Sequence, residues 1–154
     1  MLNSTECGIS QAPVSDLASR SCLIVDDSPL VRKIARKALA GQGLVIDDAE
    51  NGQIALEKCQ DRMPDIVLLD WNMPIMDGLE FLQALRRSHG GKGPIVVFCT
   101  TETDVEHIQR AIESGADEYI MKPFDQDSLC SKVASAVRHR QVTASERLRA
   151  QLPD

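Results

Sequence analysis

The chain lacks the long apolar runs that membrane insertion or export requires. No hydrophobic stretch among its 154 residues approaches the roughly 20 residues that cross a bilayer. The N-terminal segment, residues 1–21, is polar and contains no apolar core of a secretory signal peptide. We therefore expect a cytoplasmic protein that does not associate with membranes.

Paired cysteines and cysteine metal motifs are also missing. The five cysteines make an odd count, and no CxxC spacing occurs. The sequence therefore predicts neither a disulfide framework nor a zinc site. Positive charge is scarce as well, because 23 acidic residues against 17 Lys and Arg leave a net charge of -6. That balance argues against nonspecific binding of nucleic acid or anionic membranes.

What the chain does have is a regular alternation of two kinds of segment. Its 43% hydrophobic and 26% charged residues are ordinary for a globular domain. From residue 21 to about residue 140, short apolar runs alternate with stretches of helical periodicity, which is typical of a parallel α/β sheet. We predict a flexible N-terminal tail over residues 1–20, one domain over 21–140, and a helix extension or tail over 141–154.

Four of the predicted strands are followed by polar side chains suited to phosphoryl chemistry. The pair Asp26-Asp27 follows one apolar run, Asp70 a second, Thr100 a third and Lys122 a fourth. In an open parallel sheet, ligands bind beyond the carboxyl ends of the strands. We therefore expect three carboxylates, a hydroxyl and an ammonium group to meet at one edge of the sheet.

A carboxylate at such an edge can attack phosphorus and form an acyl phosphate. Because nucleophile and phosphoryl group are both anions, the reaction needs a divalent cation and a lysine to neutralise the phosphoryl oxygens. Asp26, Asp27 and Asp70 supply oxygen ligands of the kind that Mg²⁺ prefers. No His or Cys lies in these motifs, so a softer metal is disfavoured. We predict Mg²⁺, with Mn²⁺ as the alternative.

The order of these motifs resembles that of the receiver domains of two-component response regulators. The resemblance covers about Cys22 to Arg138 and is closest to single-domain chemotaxis receivers in the segment DWNMPIMDGLE, which begins at Asp70. It implies a three-layer, doubly wound, flavodoxin-like α/β fold. Its features would be a five-stranded parallel sheet in the strand order 2-1-3-4-5 and five helices.

The resemblance also implies a role for each residue at the sheet edge. Asp70 would be the phosphoacceptor, and it would hold Mg²⁺ together with Asp26, Asp27 and the backbone carbonyl of Asn72. Lys122 would contact the phosphoryl group.

Phosphorylation would then move a small set of residues. Thr100 would shift to hydrogen-bond the phosphoryl group, and Tyr119, at the aromatic switch position, would turn inward with it. These shifts would create a binding surface on the fourth helix, fifth strand and fifth helix. The bond between Lys122 and Pro123 is expected to be cis.

Three positions would tune the lifetime of the phosphoryl group. Asn72 lies two residues after the phosphoacceptor and Glu102 two residues after Thr100. Both match the pattern of the chemotaxis receivers, which implies relatively fast loss. Thr101 replaces a smaller alanine of that pattern, so it would narrow access for a donor or for water.

The leading hypothesis is a single-domain signalling switch rather than an enzyme acting on other molecules. A histidine kinase or a small acyl phosphate would phosphorylate Asp70, and a downstream protein would bind the switched face. We expect 154 residues to leave no room for a DNA-binding domain beside the receiver, and therefore no DNA contact. We expect a monomer or a weak phosphorylation-dependent dimer. The alternative is a phosphorelay intermediate or phosphate sink that exchanges phosphoryl groups with a histidine phosphotransfer protein.

Three further hypotheses have less support. A hydrolytic phosphatase would separate its two first-strand aspartates by two positions, whereas Asp26 and Asp27 are adjacent. A degenerate, unphosphorylated adaptor would not need the complete residue set. A third hypothesis is that the C-terminal tail binds a cyclic dinucleotide, but the arginine-rich tail that contains Arg147 and Arg149 is short for this role.

Overall fold

The computed structural model describes residues 17–101 and 105–151, with side chains as far as residue 142. Strands and helices alternate along this part of the chain, as predicted. The strands are β1 (Ser21–Val25), β2 (Val45–Ala49), β3 (Ile66–Asp70), β4 (Ile95–Thr100) and β5 (Glu118–Met121). The helices are α1 (Pro29–Ala40), α2 (Gly52–Asp61), α3 (Gly78–Arg87), α4 (Val105–Glu113) and α5 (Gln126–Gln151). None of the helices within these ranges has the length and apolar character needed to span a bilayer.

The strands form one parallel sheet in the order β2-β1-β3-β4-β5. This confirms the strand order that the family resemblance implies. Strand β1 pairs with β2 on one side and with β3 on the other, so the chain reverses its direction of winding between them. A crevice opens at such a switch point, beyond the carboxyl ends of the strands. The topology therefore places the ends of β1 and β3 side by side.

A hydrophobic core covers each face of the sheet. On one face α1 and α5 pack against side chains such as Ile24 and Leu68. On the other face α2, α3 and α4 pack against side chains such as Val25 and Leu69. Because β1, β3 and β4 are covered on both faces, they are almost continuous apolar runs. Strand β2 is partly exposed, which agrees with its predicted position at the edge of the sheet.

The helices begin at polar side chains that accept hydrogen bonds from their first turns. The side-chain oxygens of Ser28, Asn51 and Asp125 each accept from the backbone N–H three residues later. Asp77 and Glu80 form a reciprocal capping box at the start of α3. Because these starts lie at the same edge as the strand ends, the caps help to fix the loops there.

Not every apolar residue with helical spacing faces the core. Leu30 and Ile34 of α1 are exposed, and so are Val105 and Ile112 of α4. The helices themselves are as predicted, and α4 buries only Ala111 among its described residues.

The packed part of the chain begins before the predicted boundary at residue 21. Leu17 is only 1% exposed and belongs to the core under α1 and α5. The backbone N–H of Ser19 donates to Gly43, and that of Val45 donates to Arg20. At the other end, α5 continues to residue 151, so residues 141–151 extend the helix.

A cluster of charged side chains that the sequence did not reveal lies at the amino-terminal edge of the sheet. Arg86 Nη2 lies 3.2 Å from Asp117 Oδ2, and Arg140 Nη2 lies 3.0 Å from the same oxygen. Both guanidinium groups also donate to the Pro94 carbonyl, and Asp117 accepts from the backbone N–H of Val96. Burial lowers the pKa of Arg86, although the charge of Asp117 opposes this effect. The cluster therefore fixes the beginning of both β4 and β5.

Replacing Asp117 with Ala should destabilise the domain strongly, because two largely buried guanidinium groups would be left facing each other. We expect a loss of about 3 kcal/mol in the free energy of unfolding, measured by urea denaturation. The control is Lys58→Ala, which removes the exposed pair with Asp47 and should cost less than about 1 kcal/mol. Equal losses in the two variants would contradict the role assigned to the cluster.

Candidate functional site

The ends of β1, β3 and β5 bring the predicted charged residues together. Asp26 follows β1, Asp70 ends β3 and Lys122 follows β5. One carboxylate oxygen from each of Asp26, Asp27 and Asp70 lies within 4.8 Å of the others. Three carboxylates and an ammonium group therefore form one cluster at the edge of the sheet, as the strand ends predict.

Lys122 lies between two of the carboxylates. Its Nζ is 2.8 Å from Asp26 Oδ2 and 3.1 Å from Asp70 Oδ1. Its backbone N–H donates to Thr100, and its peptide bond to Pro123 is cis, the isomer that the resemblance implies. Burial opposes the charged form, but the hydrogen bond and charge of Asp26, with those of Asp70, outweigh burial and raise the pKa of Lys122.

Asp26 is held in place by contacts to the neighbouring backbone. It is buried, and its Oδ1 accepts a hydrogen bond of 2.9 Å from the backbone N–H of Ser28. Its own backbone N–H donates to Ala49, and its carbonyl accepts from Arg32 Nη1. The Asp26 carboxylate is therefore fixed before any ligand arrives, whereas Asp27 is exposed to solvent.

The ionised form of Asp70 is disfavoured at this place. Asp70 is 7% exposed, and its pKa is raised to about 6, chiefly by burial. The charge of Asp26, and more weakly that of Asp27, acts in the same direction, while Lys122 opposes them. The positive charge of one ammonium group therefore does not neutralise three carboxylates in this partly buried site. The site favours the arrival of additional positive charge.

The donor set fits a hard divalent cation. Each member of the acidic cluster offers carboxylate oxygen, which suits Mg²⁺ or Mn²⁺ and disfavours soft metals. The exposure of Asp27 leaves room for water ligands, which Mg²⁺ usually retains. Asn72, whose backbone carbonyl is the fourth predicted ligand, lies in the loop between β3 and α3, two residues after Asp70.

That loop is tightly closed. The backbone N–H of Gly78 donates to the Trp71 carbonyl at 2.8 Å, and that of Gly52 donates to the Met76 carbonyl at 3.2 Å. A Cβ on Gly78 would collide with the carbonyl oxygen of Asp70, and one on Gly52 would lie 2.7 Å from that of Met76. Both positions therefore require glycine, and the loop beside Asp70 is fixed at both ends.

The predicted switch residues lie beside the acidic cluster. Thr100 ends β4 and is buried, and it pairs with Met121 of β5. Tyr119 of β5 is half-buried, and Lys132 Nζ lies 5.6 Å from the centre of its ring. Thr100 therefore borders the strand that carries Asp70, and Tyr119 packs against the core under α2, α3 and α4.

The structure describes two of the three residues predicted to tune the lifetime of the phosphoryl group, Asn72 and Thr101. Thr101 is exposed, whereas Glu102 lies outside the described residues. Thr101 lines an apolar groove of about 320 Å³ beside the acidic cluster, which the sequence analysis missed. The exposed apolar side of α1 is the sequence signal that could have indicated it. The groove is lined by Val31, Ile34, Thr101, Lys122, Pro123 and Phe124.

An aromatic contact adjoins the phosphoacceptor position. The ring of Trp71, directly after Asp70, lies 5.1 Å from that of Phe98 and 5.0 Å from that of His107. The His107 ring of α4 packs edge-on against Trp71. Trp71 is therefore a buried fluorophore next to the acidic cluster.

Comparisons with known proteins agree on one family. Residues 22–134 match the model described as the response regulator receiver domain. The chain is 33% identical over 119 residues to the chemotaxis protein CheY of Halobacterium salinarum, covering 77% of this chain and 98% of that protein. It is 37% identical over 120 residues to the DNA-binding transcriptional regulator NtrC of Escherichia coli K12, of which it covers only 25%. The solved structure of Vibrio cholerae CheY4 aligns with a TM-score of 0.74 at 33% identity, covering 77% of this chain and 99% of that one.

Replacing Asp70 with Asn should stabilise the metal-free protein at pH 8. The pKa of Asp70 is about 6 in the folded state against an ordinary value of 3.8, so the folded state holds the proton more tightly. The contribution of Asp70 to wild-type stability should therefore fall as the pH rises from about 4 to about 6 and stay low above that. We expect Asp70→Asn to exceed wild type by about 2 kcal/mol at pH 8 and by little at pH 4.

The measurement is urea unfolding in the presence of a chelator at both pH values. Asp61→Asn, on the exposed end of α2, is the control and should change neither value. An Asp70→Asn protein that is less stable than wild type at pH 8 would contradict the electrostatic description of the site.

Proposed function

Because the chain belongs to the response regulator receiver domains, we propose that it is a single-domain phosphorylation switch whose phosphoacceptor is Asp70. The observation that carries the proposal is the double contact of Lys122 with Asp26 and Asp70, at 2.8 and 3.1 Å. A lysine bound to a carboxylate at the end of a strand can neutralise a phosphoryl group that arrives there. Similarity over 98% of a CheY protein supports a stand-alone receiver.

In this proposal Asp70 acts as the nucleophile. One of its carboxylate oxygens forms a bond to phosphorus while phosphorus separates from the histidine nitrogen of a protein donor, or from the acyl oxygen of a small donor. A pKa of about 6 leaves Asp70 mostly ionised at neutral pH, as a nucleophile must be. Lys122 moves from the Asp70 oxygen to a phosphoryl oxygen, while its contact with Asp26 keeps it in place.

Mg²⁺ would be held by Asp26, Asp27, Asp70 and the backbone carbonyl of Asn72, and would supply charge neutralisation on the phosphoryl oxygens. The protein would catalyse only its own phosphorylation and dephosphorylation. We propose that Asn72, Thr101 and Glu102 set the rate of dephosphorylation. Asn72 and Thr101 are both exposed at the site, where attacking water must pass.

We propose that Thr100 and Tyr119 transmit the phosphorylated state to a partner. An aspartyl phosphate carries a charge of about -1.5 to -2 in place of the single negative charge of the Asp70 carboxylate, and it brings phosphoryl oxygens to which the Thr100 hydroxyl can donate. Tyr119 is half-buried beside Lys132, so its ring can pack further inward when Thr100 moves. The surface of α4, β5 and α5 would then bind a downstream protein, and the exposed Val105 and Ile112 of α4 offer apolar contacts there.

We propose that the phosphoryl donor is a histidine kinase or a histidine phosphotransfer protein. The apolar groove beside Lys122, together with the exposed Leu30 and Ile34 of α1, suits the helix of a protein donor. The same surface would serve transfer in the opposite direction, as the phosphorelay alternative requires. Incubating the purified phosphorylated protein with a histidine phosphotransfer protein distinguishes a signalling switch from a phosphorelay intermediate. Only the relay intermediate returns the phosphoryl group rapidly.

Incubation with Mg²⁺ and a small acyl phosphate should add one phosphoryl group to the wild type, measured by intact mass. Asp70→Asn should gain none, because the nucleophile is missing, and a chelator should abolish the gain in the wild type. Asp61→Asn is the control and should behave as wild type.

Phosphorylation of Asp70→Asn to the wild-type extent would refute the assignment of Asp70. Some receivers accept phosphoryl groups only from a protein. Failure of the wild type with the small donor, and also with every purified histidine kinase and phosphorylated histidine phosphotransfer protein of the same organism, would therefore refute the proposed function.

A further inference from the structure

One residue beside the site has a backbone conformation that its side chain disfavours. Ile75, in the loop between β3 and α3, has a φ of +71°. The backbone N–H of Met76 donates to the Pro74 carbonyl at 2.7 Å, so Ile75 is the central residue of a three-residue turn. A positive φ brings the Cβ against the following carbonyl, and a β-branched side chain makes this worse. Ile75 is therefore strained.

Among the described residues, packing gives Ile75 little that offsets this strain. Its side chain is 80% exposed, so it contributes almost no burial to the core. Within residues 17–101 and 105–151, the other positive-φ position without glycine is Ser19, which has a small polar side chain. A glycine or asparagine at position 75 would satisfy the backbone better and expose less apolar surface. Strained residues of this kind are concentrated at functional sites.

The place of Ile75 suggests what its side chain contacts. The loop is pinned by the hydrogen bonds of Gly78 to Trp71 and of Gly52 to Met76, so Ile75 is presented at a fixed position, five residues after Asp70. Helices α1 and α3 cover opposite faces of the sheet. The exposed Leu30 of α1 and Ile75 before α3 therefore flank the acidic cluster from both sides.

We propose that Ile75 is a specificity-determining residue that packs against the phosphohistidine-bearing protein during phosphoryl transfer to Asp70. This inference rests on the proposed function. A protein that brings a histidine to Asp70 covers the edge of the sheet and with it this loop, and burial of the isoleucine in the complex offsets its strain in the free domain. A small acyl phosphate reaches Asp70 without touching Ile75.

Three substitutions separate the strain from the contact. Ile75→Asn tolerates the positive φ but is polar, Ile75→Thr keeps the β-branch but is more polar, and Ile75→Leu keeps the apolar surface. The measured quantity is the ratio of two phosphorylation rates. One rate is with the purified histidine kinase of the same organism that phosphorylates the wild type fastest, and the other is with a small acyl phosphate.

We expect the ratio to fall about tenfold in Ile75→Asn and Ile75→Thr, as loss of one buried side chain predicts. It should stay within about twofold of wild type in Ile75→Leu, since the apolar contact is retained. Thermal unfolding supplies the second readout: Ile75→Asn should melt about 3 °C higher than wild type, whereas Ile75→Thr should not. Higher stability with slower protein-donor transfer is not expected of a residue that merely supports the fold.

If both Ile75→Asn and Ile75→Thr keep the wild-type ratio of the two phosphorylation rates, Ile75 does not contact the protein donor. If Ile75→Asn is no more stable than wild type, the backbone at position 75 is not strained. If the small donor phosphorylates the wild type and none of the organism's histidine kinases or phosphorylated histidine phosphotransfer proteins does, the phosphohistidine donor is refuted and this assignment with it. Failure of the proposed function therefore shows in the wild type, and failure of this inference shows only in the variants.

Discussion

The ammonium group of Lys122 is the interaction on which the site depends. It contacts Asp26 and Asp70 at 2.8 and 3.1 Å, but one positive charge does not balance three carboxylates. Because Asp26 and Asp70 are buried, the remaining negative charge is costly, and the raised pKa of Asp70 reflects that cost. A divalent cation would relieve the imbalance, and in the proposed function a phosphoryl group would then give Lys122 a new partner. The same imbalance would account both for metal binding and for a change of contacts on phosphorylation.

The fold tolerates this imbalance because the elements around it are fixed. Strands β1 and β3 are neighbours and are covered by a core on both faces, so Asp26 and Asp70 cannot separate. At the opposite edge, the two guanidinium groups around Asp117 fix the beginnings of β4 and β5. Those strands carry Thr100 and Lys122 at their other ends. The charged cluster at one edge of the sheet therefore supports the geometry of the site at the other.

Local sequence patterns predicted the strands, the helices and the meeting of the charged side chains, because apolar runs and the residues that follow them are local signals. The strand order came only from the family resemblance, since local patterns do not specify which strands pair. The Arg86–Asp117 ion pair joins residues 31 positions apart, and local sequence patterns do not predict contacts over such a distance. Leu17 is a single apolar residue without periodic neighbours, so its burial was missed. The positive φ of Ile75 could not be predicted from the sequence, because glycine or a small polar residue is the usual sign of that conformation.

A carboxylate cluster that demands positive charge should bind Mg²⁺, and calorimetric titration measures that binding. We predict one ion per chain, at least about tenfold weaker binding to Asp26→Asn because a buried ligand charge is lost, and unchanged binding to Asp61→Asn. Quenching of Trp71 fluorescence should follow the same curve, because its ring adjoins the cluster. Absence of binding to the wild type, or equal affinity in the wild type and Asp26→Asn, would contradict the account.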